Sequence, residues 1–171
     1  MTTPLVSLDQ LSVHYQLGRS LFGAPPVLKA LNRVTLDIPR GSFFGLVGES
    51  GSGKTTLGRA ILRATPISEG RVTFHDEAGA LDLRELSSEQ MRDYRRRAQL
   101  IFQDPYAALS PRMTVRDIIA EPLIVMGLTK TRKETDARVR EIAAMCRLNL
   151  EHLRRFPHAF SGGQRQRISI A

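Results

Sequence analysis

The chain has 171 residues, 42% hydrophobic and 25% charged, with 25 Lys and Arg against 17 Asp and Glu for a net charge of +8. That length suits about one domain with a real core, and the balance excludes a disordered chain. No apolar run approaches the roughly 20 residues of a membrane-spanning helix. A lone Cys146 excludes an internal disulfide.

Met1-Thr2-Thr3-Pro4 lacks a basic-then-apolar leader pattern, so the chain is expected in the cytosol or at a membrane through something else. The arginine excess, including Arg95-Arg96-Arg97, is scattered and has few aromatics beside it, so no nucleic acid is expected as a partner. Cys146 shares an apolar helical face with Val139, Ile142 and Ala143 and reads as a buried thiol. The four histidines show no metal-ligand spacing.

In chain order, residues 5–15 read as a strand with Leu11, Val13 and Tyr15 on one face. Tyr15 is either core filler or an aromatic ring on which a base stacks. A break follows at residues 16–26, with Gly18, Gly23 and Pro25-Pro26. Val34, Leu36 and Ile38 then alternate as a second strand, and Pro39-Arg40-Gly41 turns the chain. Residues 43–47 are a short apolar run suited to a buried parallel strand.

Next comes Gly48-Glu49-Ser50-Gly51-Ser52-Gly53-Lys54-Thr55-Thr56, which fits G-x-x-x-x-G-K-[ST], the P-loop that wraps a nucleotide's phosphates. Its glycines let backbone N–H groups turn inward as an anion nest. Lys54 brings a point charge to the phosphates, and Thr55 offers a hydroxyl to Mg²⁺. Residues 55–64 read as a helix with Leu57, Ala60, Ile61 and Ala64 on one face, its positive end toward the phosphates.

Residues 71–75 read as another short strand and 76–80 as a polar turn. Ser87 or Ser88 caps a helix to about Arg97, with Gln90 completing a capping box. Residues 98–102 read as a strand ending at Gln103. In open α/β sheets ligands sit beyond the strands' carboxyl ends, so Gln103 is placed either to reach Mg²⁺ or water, or simply to be solvated.

An α-only block follows. Thr114 and Asp117 cap a helix that Glu121-Pro122 ends or kinks. Thr131 and Glu134 form the capping box of a second helix to Arg147, and a shorter one covers residues 150–155. Finally, in Ser161-Gly162-Gly163-Gln164, Ser161 is an N-cap with Gln164 as its N3 partner. The two glycines leave that helix end open to a phosphate. One chain has little need of two triphosphate sites, so the second site is expected to close over the nucleotide of another subunit.

P-loop, strand-end Gln103, helical block and Ser161 to Gln164, in this order, resemble the nucleotide-binding subunit of ATP-binding cassette (ABC) transporters over essentially the whole chain. Residues 47–54, 102–112 and 156–167 are similar to the dipeptide, oligopeptide and nickel importer branch, where Phe160 replaces the wider family's Leu.

The resemblance implies an α/β fold: a P-loop NTPase (RecA-like) core with an antiparallel β portion and an inserted α-helical subdomain. It implies one nucleotide-binding domain, truncated within the signature helix and with an incomplete sheet. Residues 1–103 would be the ATP-binding core, 104–160 the helical subdomain and 161–171 the start of the signature helix.

ATP and Mg²⁺ are the implied ligands. Gly48, Glu49, Ser50, Gly51, Ser52, Gly53, Lys54, Thr55 and Thr56 take the phosphates, and Thr55 and Gln103 the metal. Tyr15 becomes the adenine-stacking aromatic and Gln103 the γ-phosphate sensor in the catalytic set. Ser161, Gly162, Gly163 and Gln164 become the signature, acting in trans.

The implied partners are a second ABC ATPase subunit, identical or different, transmembrane permease subunits and, indirectly, an extracytoplasmic solute-binding protein. The implied location is peripheral, on the cytoplasmic face of the inner (plasma) membrane. The implied function is ATP-driven uptake of peptides or similar small solutes.

The family's acidic strand, water-polarising Glu and switch His would lie beyond Ala171. These 171 residues are therefore expected to bind ATP without efficient hydrolysis and to be poorly stable alone, with residues 43–47 lacking neighbours. The alternatives are a non-hydrolysing module that pairs with a complete subunit, or a soluble ABC ATPase outside transport.

Overall fold

Alternating apolar residues build the first part of the molecule around one long strand. The computed structural model describes residues 4–18, 25–77, 79–102, 104 and 108–171. The chain divides into two compact units, Met1–Leu100 and Ile101–Ala171. In the first, β1 (Val6–Gln16), β2 (Val27–Ile38), β3 (Glu69–Asp76) and β4 (Gly79–Asp82) form an antiparallel sheet in the order β2-β1-β3-β4. Helices α1 (Lys54–Ile61) and α2 (Ser88–Arg97) complete the unit.

Leu8, Leu11, Val13 and Val72 from the sheet join Leu57 and Ala60 of α1 and Tyr94 of α2 in one buried cluster. Tyr94 is wholly buried. Its hydroxyl donates to Ile61 O at 2.8 Å, and its ring meets Phe74 edge-on at 5.1 Å. Burial pushes its pKa up to about 12, so it stays a neutral donor that fixes the end of α1. Ser87 caps α2 with the expected Gln90 capping box.

Several elements differ from the sequence reading, each for a local reason. Leu11 and Val13 are buried in this cluster and Tyr15 packs against it, as their alternation predicts, but Ser12 between them is buried as well. The β1–β2 register shifts between Leu8 and Leu11, at the left-handed Gln10 (φ 46), and again between Leu11 and Val13, at the left-handed Arg33 (φ 51) on β2. Ser12 Oγ accepts the Arg33 N–H at 3.1 Å, which satisfies the buried hydroxyl. The polar turn expected at 76–80 is tighter, and Gly79 already pairs with Asp76 as the start of β4. Helix α1 stops at Ile61, short of the expected Ala64. Arg63 takes φ 49, and the Arg63 and Ala64 N–H groups return to Ala60 O and Arg59 O, a Schellman closure made without glycine.

Residues 43–47 and 98–102 carry no strand ladder among the described residues. Phe43, Val47, Ile101 and Phe102 are exposed rather than buried. A strand exists through its neighbour's hydrogen bonds, and nothing described here supplies one to either run. Leu36, Ile38, Leu46, Leu57 and Ile61 line an open apolar groove of about 310 Å³ beside the first run.

The second unit holds α3 (Val115–Val125), α4 (Arg132–Met145), two short 3₁₀ turns (Leu150–His152 and Pro157–Ala159) and α5 (Gly162–Ile170). Val115 and Ile119 of α3, Val139 and Ala143 of α4, Phe160 and Ile168 of α5 form its core. Pro122 neither ends nor breaks α3. It sits exposed while Leu123 and Ile119 keep the buried face, so the missing N–H falls on the solvent side, where water can serve the freed carbonyl. Residues 150–155, expected as a short helix, form only the first 3₁₀ turn and a further turn. The buried Arg165 of α5 donates to Pro157 O at 2.8 Å and His158 O at 3.1 Å, holding the second 3₁₀ turn.

At the start of α3, Arg116 donates to Asp117 at 2.9 Å and to Asp136 of α4 at 2.6 Å. The Thr114 hydroxyl and then Arg116 hold the Asp117 carboxyl below the usual carboxylate range. Its stabilising contribution is therefore complete above the unfolded value of about 4 and is lost as pH falls through the lower folded value. Thermal melts between roughly pH 2 and 6 are expected to show a shallower acid loss in Asp117→Asn than in the native chain; identical slopes would remove Asp117 from the acid response.

Candidate functional site

Helix α1 differs from its fellow helices at its N-terminus. Ser87, Thr114, Thr131 and Ser161 each cap a helix by accepting a backbone N–H through a side-chain oxygen. Helix α1 instead begins after Gly53, and no side chain caps it. Among the described α-helices it alone offers its first-turn N–H groups without a side-chain acceptor. A helix end of this kind carries about half a positive charge, so an anion completes it.

Sheet strand β2 sets the position of that helix end. Gly53 has φ 93, and a Cβ there would lie 2.6 Å from Ala30 O and 2.9 Å from Leu31 Cδ2. Both backbone and space therefore require glycine, and its absent side chain lets the loop lie directly on β2. Leu57 and Ala60, one and two turns on, are buried and lock α1 to the same core. The sequence reading began this strand only near Val34 and so missed Ala30 and Leu31 as the wall behind the loop. The exposed Val27 and Leu28 at its start gave no alternating signal.

Lys54 folds over the loop. Its Nζ donates to Gly48 O at 2.8 Å, Glu49 O at 2.5 Å and Ser52 Oγ at 3.3 Å. Gly48, Glu49, Ser52, Gly53 and Lys54 are thereby drawn into one small structure, with Gly51 at φ 82 on its outer turn. Thr55 is exposed on the first turn of α1 and Thr56 is half-buried beside it. The donor set suits a phosphate chain: an uncapped helix end, a lysine satisfied only by neutral oxygens, and an exposed threonine hydroxyl.

The other predicted residues stand as follows. Tyr15 is half-buried on β1 against the core, with its hydroxyl 2.9 Å from Thr65 Oγ1. Gln103 lies outside the described residues. Ser161 to Gln164 belong to the second unit and form the expected capping box. The Ser161 N–H donates to Gln164 Oε1 at 2.9 Å, and the Gln164 N–H to Ser161 Oγ at 3.4 Å. Gly162 and Gly163 have no left-handed φ, and a Cβ on either would meet nothing within 4 Å.

An antiparallel sheet, a glycine loop seated on it and a helix opening without a cap define a P-loop nucleotide-binding fold. The family model described as ABC transporter matches residues 31–171, and the chain belongs to that family.

The dipeptide transport ATP-binding protein DppF of Lactococcus lactis is 50% identical over 175 residues, covering 100% of this chain and 53% of the relative. The oligopeptide transport ATP-binding protein OppF of Bacillus subtilis is 46% identical over 171 residues, covering 100% and 53%. The chain thus spans about half the length of these curated relatives. The dimeric post-hydrolysis structure of the ATP-binding cassette MJ0796 bound to ADP and Pi superposes with a TM-score of 0.75 at 27% identity, covering 96% of this chain and 67% of that one. The fold recurs in cbiO1 from Clostridium perfringens, with a TM-score of 0.69 at 20% identity over 98% of this chain and 60% of that one.

Proposed function

We propose that this chain forms the ATP-binding part of a peptide-importer subunit. The observation that carries this reading is the uncapped N-terminus of α1, held on β2 by Gly53 and overhung by Lys54. Gly48 to Thr56 would wrap the phosphates of ATP, with Thr55 and Gln103 on Mg²⁺. When bound, Mg²⁺ would neutralise phosphate charge. Lys54 would exchange its loop carbonyls for phosphate oxygens. Tyr15 would present its ring to adenine while Thr65 holds its hydroxyl. The names of the relatives, dipeptide and oligopeptide transport ATP-binding proteins, support peptides as the solute class.

Ser161, Gly162, Gly163 and Gln164 would meet the nucleotide of a second ABC subunit, as the open space at both glycines and the dimeric state of MJ0796 support. Permease subunits would carry the solute, fed by an extracytoplasmic binding protein, with this subunit at the cytoplasmic face of the membrane.

Lys54→Ala in the full-length subunit is the test. ATP-driven dipeptide uptake is expected to fall to background, and ATP affinity by roughly tenfold or more, the loss of one charge-assisted contact. Undiminished uptake with normal expression would defeat the proposal.

A further inference from the structure

A concave site in the helical unit involves neither the glycine loop nor the signature turn. A cavity of about 650 Å³ lies between the first turn of α3, one face of α4 and the turn around Leu150 to Arg154. That volume falls within the roughly 300–1,000 Å³ typical of small-molecule sites. Its lining is mostly polar and charged, with Val139 and Leu153 buried behind it.

Charge on the rim is unevenly neutralised. Asp117 is taken up by the Thr114 hydroxyl at 2.6 Å and by Arg116 at 2.9 Å. Asp136 receives two bonds from Arg116, at 2.9 and 2.6 Å. Arg132 reaches Asp136 only at 4.0 Å, with its side chain 90% exposed. Among the described residues, Arg140 and Arg154 have no ion-pair partner, and neither has Glu151. Three guanidiniums, weakly paired or unpaired, thus stand round the hollow against one unpaired carboxylate. Solvation alone accounts for single arginines on a convex face. Arg138, on the same helix but outside the cavity, shows the usual outcome, a surface pair with Glu141 at 2.6 Å.

We propose that this cavity binds a small phosphorylated molecule carrying at least two negative charges. Arg140 and Arg154 would grip the phosphate, since planar guanidinium forks match its oxygens. Arg116 is not available to the ligand. Its work is to hold Asp117 and Asp136, which keeps those carboxylates from repelling an anion. This site stands independently of the ATP reading, because no residue of the glycine loop lines it.

The test is calorimetric titration of pyrophosphate into the Lys54→Ala protein, in which the glycine loop is weakened. Binding of one pyrophosphate is expected, weakened about tenfold or more by Arg140→Gln with Arg154→Gln and left unchanged by Arg138→Gln. No binding in the Lys54→Ala protein overturns the proposal. So does an equal loss in Arg138→Gln, which would mark a bulk charge effect. Both cavity arginines are exposed, so the double variant is expected to melt normally. Should it melt early, Arg154→Lys is read instead, since it keeps the charge and loses the fork; unchanged affinity there overturns the proposal.

Discussion

Gly53→Ala is expected to abolish tight ATP binding and to lower the melting temperature of the chain. Two costs add at this position. At φ 93 an L side chain is strained by roughly 1–2 kcal/mol. The new methyl would also lie 2.6 Å from Ala30 O, a backbone atom of β2 rather than the end of a flexible side chain. Overpacking of this kind costs about 1–3 kcal/mol more. The loop can escape only by lifting off β2, and that moves Lys54 and the open end of α1 together.

Gly51→Ala supplies the control. Its φ is 82, so the conformational cost is similar, yet its Cβ would meet nothing within 4 Å. Melting curves of both variants, with and without Mg-ATP, separate contact from conformation. Gly53→Ala should melt lower and lose the stabilisation that ATP confers. If the two variants behave alike, β2 is not what positions the loop.

The features legible in the sequence were those fixed by neighbours in the chain. Ser87 with Gln90, Thr114 with Asp117, and Ser161 with Gln164 each determine a helix start within four residues, and each cap stands where it was read. In Thr131 with Glu134 the cap holds, but the Glu134 carboxylate accepts from the Lys130 N–H instead of closing the box. The glycine loop was legible because its chemistry needs a fixed spacing.

What the sequence reading missed depends on contacts made at a distance. An alternating run does not reveal that Gln10 and Arg33 both turn left-handed, because that accompanies the register shifts between β1 and β2, and Gly70 of β3 lies close against Gln10 alone. A Cβ on Gly70 would lie 2.2 Å from Gln10 O. Residues 43–47 and 98–102 have strand-like composition, but composition supplies no partner, and both remain exposed. The open groove beside the first run is the energetic reason to expect poor stability of the chain alone, since Phe44 and Leu46 on its lining stay exposed to water.

Gly163→Ala is expected to separate stability from activity. The residue lies in the first turn of α5, exposed, without a left-handed φ, and a methyl there meets nothing within 4 Å among the described residues. Alanine exceeds glycine by about 0.5–1 kcal/mol within a helix, less in a first turn, so the variant should melt at the native temperature or slightly above it. Nothing among the described residues therefore requires glycine at this point.

The requirement comes from outside it, if the proposed closure is correct. In that closure the phosphates of a partner subunit's ATP approach the N–H groups of Gly162 and Gly163, and the methyl takes the space they need. ATP turnover and peptide uptake by the full-length subunit should then fall at least about tenfold, with ATP binding at the glycine loop unchanged. Intact activity would show that no phosphate approaches this helix end so closely. Activity lost together with a lower melting temperature would mean that the glycine serves the fold after all. Gly53 and Gly163 thus lead to opposite predictions for one residue type: the first is held by its own strand, the second, under the proposed closure, is kept for another molecule.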